Sequence, residues 1–217
     1  MTRFEALTHS PAKLLSFGAA ARVADHLRRG GLAVLPTETG YMIAADATNE
    51  PAVEKVFHAK ERSLANPMHV AFGSLRMVHD FARLDEVAER LVRAFTPGPL
   101  TVVVPQSGRL PDRLVTLNGT VGVRVPDHPA TLQVVDLLGR PVTATSLNRS
   151  GEESRPLDHD FLPELDWSGE EVVPVLEDVT SITQPLASTL VLVEAGAFRI
   201  LRQGPVTLAQ IEAAAQG

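Results

Sequence analysis

Four short, widely separated segments carry side chains suited to holding phosphate beside a small polar substrate. They are Pro36-Thr37-Glu38-Thr39-Gly40-Tyr41, Lys60-Glu61-Arg62, Gly122-Val123-Arg124-Val125-Pro126 and Ser146-Leu147-Asn148-Arg149-Ser150-Gly151. Thr37, Thr39 and Tyr41 can hydrogen-bond a carboxylate or an amine; a Thr-rich turn that binds its own backbone is the plain alternative. Lys60 and Arg62 pair a mobile point charge with a planar, permanently charged fork, as a polyphosphate requires. Cations at a helix end also suit its dipole, so capping alone would account for them. Asn66-Pro67 directs an amide toward the same opening or forms a turn. Ser146, Asn148, Ser150 and Gly151 follow a strand and resemble a small phosphate nest, although Asn-rich loops are commonly just turns.

The elements that must position these groups follow from pattern. Ser16 caps a helix through Ala19, Val23 and Leu27 that stops at Gly30-Gly31. Leu32 to Leu35 reads as a buried strand, with the hydroxyl-rich loop beyond its carboxyl end, where open α/β sheets hold ligands. Asn49 with Pro51 starts a helix that ends at Lys60. Met68 to Phe72 suits a strand, and Leu84, Val87, Ala88, Leu91, Val92 and Phe95 follow amphipathic helical spacing. Strands are expected at Leu100 to Val104, Val121 to Val125, Val142 to Thr145, Val172 to Leu176, Thr189 to Val193 and Ala197 to Leu201. Helices are expected at Ala130 to Leu138 and Leu208 to Ala215. This alternation predicts one α/β domain over residues 1–217, with a largely parallel or mixed parallel/antiparallel sheet covered by helices on both faces. Residues 1–16 read as an N-terminal arm and 152–169 as a surface loop.

Composition excludes several chemistries. No cysteine is present, which removes disulfides, thiolate nucleophiles and Cys-based zinc sites. No Walker A run, strand-linked G-x-G-x-x-G, G-x-S-x-G or H-E-x-x-H occurs, and His128 reads as a helix-start residue rather than a base. The N-terminus lacks a signal-peptide core and no apolar run is long enough to span a bilayer, so a cytoplasmic protein without membrane association is expected. A net charge of −6 argues against a general polyanion-binding surface. Arg62, Arg124, Arg149, Arg155 and Arg202 still leave room for a local basic cleft.

Taken in order, these segments resemble the YrdC-like domain family, best known for L-threonylcarbamoyladenylate synthases. The likeness extends through Thr96-Pro97-Gly98-Pro99-Leu100-Thr101, Ser188-Thr189 and Ile200-Leu201-Arg202-Gln203-Gly204, so it spans most of the chain. It implies a twisted mixed sheet around a positively charged cleft. The resemblance further implies that Lys60, Arg62, Ser146 and Asn148 form the signature catalytic cluster. ATP would also meet Asn66, Thr120, Ser154 and Arg202, while Thr39, Arg124, Ala144 and Ser188 would hold L-threonine. No side chain would ligate a metal; Mg²⁺ would arrive on the ATP phosphates.

The implied reaction joins L-threonine, bicarbonate and ATP into threonylcarbamoyl-AMP and pyrophosphate, for threonylcarbamoyladenosine in tRNA, with tRNA or its modification proteins as partners. The chain departs from the family pattern at Met42, where glycine is usual, and at Glu61 and Ser63, where Lys-Gly-Arg-Pro is commoner. It also carries Ser154-Arg155-Pro156 in place of Ser-Pro-Thr. The histidine often found after Asn-Pro falls at Ala71, and His69 is read onto the opposite face of that strand. These departures frame two alternatives: a paralogue making a carbamoyl-adenylate of another amine, or a double-stranded RNA-binding module.

Overall fold

A computed structural model describes residues 2–8, 15–63, 68–114, 116, 118–148, 160, 162–167, 169–177 and 186–217. Its helices begin where the local chemistry allows. Ser16 accepts from the Ala19 N–H to start α1 (Phe17–Arg28), and Asn49 accepts from Ala52 to start α2 (Glu50–Ala59), whose first turn carries Pro51. Ser74 and Asp85 cap α3 (Leu75–Phe81) and α4 (Glu86–Phe95) in the same way. His128 caps α5 (Pro129–Leu138) through Nδ1, as the sequence suggested, and Thr207 forms a reciprocal capping box with Gln210 at α6 (Leu208–Gln216).

Among the described residues the strands are β1 (Arg3–Thr8), β2 (Ala33–Thr37), β3 (Gly40–Ala44), β4 (His69–Ala71), β5 (Leu100–Pro105), β6 (Thr120–Arg124), β7 (Val142–Ser146), β8 (Val172–Glu177), β9 (Thr189–Glu194) and β10 (Ala197–Arg202). They hydrogen-bond into one ten-stranded sheet in the order β1-β8-β2-β3-β7-β4-β6-β5-β9-β10. Pairs β1–β8, β2–β8, β4–β6 and β5–β9 are parallel, and the remaining pairs are antiparallel, giving the mixed sheet expected.

Both faces are covered, and the side-chain alternation shows it. Ala33, Leu35, Met42 and Ala44 pack with Val23 and Leu27 of α1 and Val134 and Leu138 of α5. Val34 and Ile43, between them in sequence, pack into a second core with Val53 and Val56 of α2, Leu91 of α4 and Ile211 of α6. Strands buried on both sides read as continuous apolar runs, which is why β2 and β3 lack a polar stripe.

Three sequence expectations change. Residues 3–8, read as part of a polar arm, form β1 and pair in parallel with β8, because the Phe4 ring packs edge-on against Trp167 at 5.5 Å. Gly40 and Tyr41, read as part of a loop, begin β3, which runs on to Ala44; the hydroxyl-rich segment is the turn of a tight β2–β3 hairpin. Within the expected surface loop, Leu162, Leu165 and Trp167 are buried in the core, with Trp167 Nε1 donating to the Leu162 carbonyl.

Candidate functional site

The basic pair at the end of α2 is held by a complete C-terminal cap. Glu61 N–H donates to His58 O at 2.9 Å and Arg62 N–H to Phe57 O at 3.0 Å, the paired bonds of a Schellman motif with Glu61 at its left-handed position, φ 47°. This turn sends Lys60 inward and leaves Arg62 half-buried. Lys60 Nζ donates to the Ser146 carbonyl and, at 2.6 Å, to Asn148 Oδ1, which also accepts from Ser146 Oγ at 2.6 Å. Lys60, Ser146 and Asn148 thus form one network across the end of β7, a stretch of 88 residues closed by a side chain.

A second network hangs on the β2–β3 turn. Glu38 is buried, its Oε1 accepting from Arg124 at 2.8 Å and its Oε2 from the Asp127 N–H at 3.0 Å. The same Arg124 nitrogen donates to Thr39 Oγ1 at 2.7 Å. Thr37 Oγ1 donates to the Gly40 carbonyl at 2.7 Å, and Thr131 Oγ1 of α5 donates to the Pro36 carbonyl at 2.6 Å, so the hairpin is braced from both sides.

The third contribution comes from the β9–β10 ribbon. Pairing of Ile200 with Val191 and of Arg202 with Leu190 leaves Leu201 as an extra residue, and this bulge re-aims Arg202. Arg202 Nε and one terminal nitrogen donate to the Ser188 carbonyl at 3.2 and 3.0 Å, while Ser188 Oγ and Thr101 Oγ1 share a 2.8 Å hydrogen bond. Gly204 permits this close approach. A Cβ there would lie 2.3 Å from Ala187 O and 2.4 Å from Thr189 N.

These networks surround a cavity of about 140 Å³ lined by Thr37, Thr39, Gly40, Tyr41, Met42, Arg62, Met68, His69, Arg124, Ala144, Thr145, Ser146, Ala187, Ser188 and Arg202. It is smaller than the roughly 300–1,000 Å³ of drug-sized sites, and so suits an amino acid rather than a whole nucleotide. Burial holds the Arg62 and Arg202 guanidiniums below their ordinary range, with Arg124 adding to the effect at Arg202. His69 is pushed down to about 3, first by burial and then by Arg202, Arg124 and Arg62. Its ring occupies space that only glycine leaves: a Cβ on Gly122 would sit 2.6 Å from His69 Cδ2.

Nine sequence candidates line the cavity: Thr37, Thr39, Tyr41, Arg62, Arg124, Ala144, Ser146, Ser188 and Arg202. Lys60 and Asn148 adjoin it through Ser146. Thr120 lies outside it, four residues from Arg124 at the other end of β6 and about 13 Å away along the strand. Asn66 and Ser154 lie outside the described residues, as do Arg149, Ser150, Gly151 and Arg155. Among the described residues no cluster of three or more His, Asp or Glu could hold a metal ion.

Sequence reasoning gave Glu38 no role, although it sits inside the first segment; its burial and its partner are tertiary facts. His69 requires a correction. Residues two apart on a strand share a face, and β4 is regular, pairing His69 with Ala144 and Ala71 with Val142. His69 therefore shares a face with Ala71 rather than opposing it, and it lines the cavity while Ala71 is covered in the α1–α5 core.

The sequence and the fold each have known relatives. The Sua5/YciO/YrdC family model, described as "Telomere recombination", matches residues 25–204. The threonylcarbamoyl-AMP synthase of Pyrococcus abyssi is 36% identical over 169 residues, covering 74% of this chain and 50% of that protein. A putative threonylcarbamoyl-AMP synthase of Mycobacterium leprae is 36% identical over 200 residues, covering 89% of this chain and 86% of the relative. The structure of P. abyssi Sua5 complexed with L-threonine superposes with a TM-score of 0.84 at 30% identity, covering 98% of this chain and 61% of that one. The chain thus spans about half the length of one of these synthases and most of the other.

Proposed function

Since the chain belongs to the Sua5/YciO/YrdC family, we propose that it condenses L-threonine, bicarbonate and ATP into L-threonylcarbamoyl-AMP and pyrophosphate, for threonylcarbamoyladenosine in tRNA. The observation that carries the reading is the junction of two kinds of chemistry. The Lys60–Ser146–Asn148 network abuts an amino-acid-sized cavity lined by Arg62, Arg124 and Arg202. We assign one catalytic unit to residues 1–217, working in the cytoplasm with tRNA and its modification proteins as partners. No helix among the described residues is long and apolar enough to cross a membrane.

In this reading bicarbonate takes up a proton and loses water to give carbon dioxide, which the threonine amine captures as a carbamate, releasing a proton. A carbamate oxygen then attacks the α-phosphorus, and the bond to pyrophosphate breaks. Arg124, Thr39, Ala144 and Ser188 hold the amino acid. Glu38 fixes the Arg124 fork, so its terminal nitrogens keep one orientation. Lys60, Arg62 and Arg202, with the Ser146 and Asn148 side chains, stabilise the charge that builds on the phosphoryl oxygens, and Asn66, Thr120 and Ser154 complete the nucleotide contacts. Catalysis is positioning and electrostatics, with no covalent enzyme intermediate. Among the described residues the donor set is one of hydroxyls and cations with no carboxylate cage, so Mg²⁺ would be held by the nucleotide's own phosphates, where it would offset their charge.

The test is pyrophosphate release from ATP by the purified protein, with threonine and bicarbonate each added and omitted. Release should require both. Lys60→Met should lower it by about 100-fold or more, the usual scale for losing one transition-state donor, with the circular dichroism spectrum unchanged. A folded wild-type protein that releases no pyrophosphate with all three substrates refutes the assignment.

A further inference from the structure

His69 is a polar ring at the cavity for which the described residues supply no hydrogen-bond partner. Among the described residues its side chain makes no hydrogen bond or ion pair, although it lines the cavity wall. Three hydroxyls of the same lining are engaged within the protein: Thr37 with Gly40, Ser146 with Asn148, Ser188 with Thr101. The residue is partly exposed, toward the cavity, so its ring nitrogens can be met there by water or by a ligand. The ring is also deliberately accommodated, since Gly122 leaves the volume it fills.

The charges around His69 decide what it can recognise. Arg62, Arg124 and Arg202 offer only donors, suited to carboxylate and phosphate oxygens. The imidazole, buried among them, stays neutral at any working pH. A neutral imidazole carries one N–H donor and one acceptor nitrogen, the complement of a hydroxyl group. Met42 and Met68 line the same cavity and present apolar surface to a short carbon skeleton.

We propose that His69 reads the side-chain hydroxyl of the amino-acid acceptor, so that this cavity selects a β-hydroxy amino acid over its deoxy counterpart. The proposal rests on the synthase reading above and adds to it a specificity residue outside the threonine-holding set assigned there.

The experiment compares L-threonine with L-2-aminobutyrate, which lacks the hydroxyl, in pyrophosphate release and in calorimetric binding. Wild-type protein, His69→Phe, His69→Gln and Gly122→Ala are assayed. Wild-type kcat/KM should favour threonine by about 10- to 100-fold, the range expected when a buried hydrogen-bonding group is left without its partner. His69→Phe should bring the ratio to within a few-fold of unity, mainly by raising KM for threonine. His69→Gln, which keeps a donor and an acceptor, should restore most of the preference. Gly122→Ala, which displaces the ring, should weaken it without touching His69 chemically.

Equal losses for both acceptors in His69→Phe, or an unchanged preference in all three variants, overturn the proposal while leaving the synthase reading intact. A wild-type protein inert with threonine in both assays overturns that reading, and this inference with it.

Discussion

Glu61 sits where a side chain is costly. It occupies the left-handed position of the cap that ends α2, at φ 47°, between Lys60 and Arg62. A non-glycine residue in that conformation costs about 1–2 kcal/mol from contact between Cβ and the carbonyl. Glutamate also places a negative charge against the carboxyl-terminal end of a helix, where the dipole disfavours it. Its side chain is exposed, so replacement removes no core packing. Glu61→Gly relieves the strain and pays back about 0.4–1 kcal/mol through the freer unfolded chain. The net gain is about 0.5–1 kcal/mol, which for a chain of this size raises Tm by about 1–4 °C. Thermal unfolding by circular dichroism measures it, with Glu61→Gln as the control that removes the charge and keeps the Cβ. The reasoning requires Gly to exceed Gln. If Gln stabilises as much as Gly, the effect is electrostatic and the strain argument fails; if Gly lowers Tm, the cap does not hold the backbone as described.

Two further outcomes follow from buried charge. Arg124→Ala leaves the Glu38 carboxylate, 4% exposed at its side chain, without its cation; the expected loss is about 3–5 kcal/mol, and Arg124→Ala/Glu38→Gln should recover part of it in urea unfolding. Equal stability of the single and double variants would show that the pair is not coupled. The depressed His69 pKa, from 6.5 to about 3, sets a pH window. Between those values the unfolded chain binds a proton that the folded chain does not, so His69 costs stability progressively as pH falls below 6.5 and nothing above it. Lowering the pH from 6.5 to 5.0 should therefore destabilise wild type more than His69→Gln, by up to about 2 kcal/mol; parallel pH profiles for the two would contradict the burial and charge described.

Local chemistry placed most elements. Ser16, Asn49 and His128 stand at helix starts because their side chains bind backbone N–H groups three residues on, information contained within one turn. Strands β5, β6, β7, β8 and β9 announced themselves as short β-branched runs. By contrast β1 has its partner nearly 170 residues away in β8, and its weak pattern gave no sign of that. The hairpin strand β3 was obscured by Gly40 and Tyr41, residues that read as turn, and Trp167 was hidden in a polar stretch whose neighbours are polar but whose ring packs on Phe4.

The candidate site divides along the same line. The sequence by itself determined the helix ends, the strands and the residue types Lys60, Arg62, Arg124, Ser146, Asn148, Ser188 and Arg202, because motif order and local hydrogen bonding survive in one dimension. Tertiary structure alone decided that Arg124 spends a terminal nitrogen on Glu38, 86 positions earlier, and that Leu201 bulges to turn Arg202 toward Ser188. It also decided that His69 stands in the cavity, in room left by Gly122. The reason is geometric: burial, pairing and charge are properties of neighbours in space, and the crossovers of a ten-stranded sheet bring together residues that the chain keeps far apart.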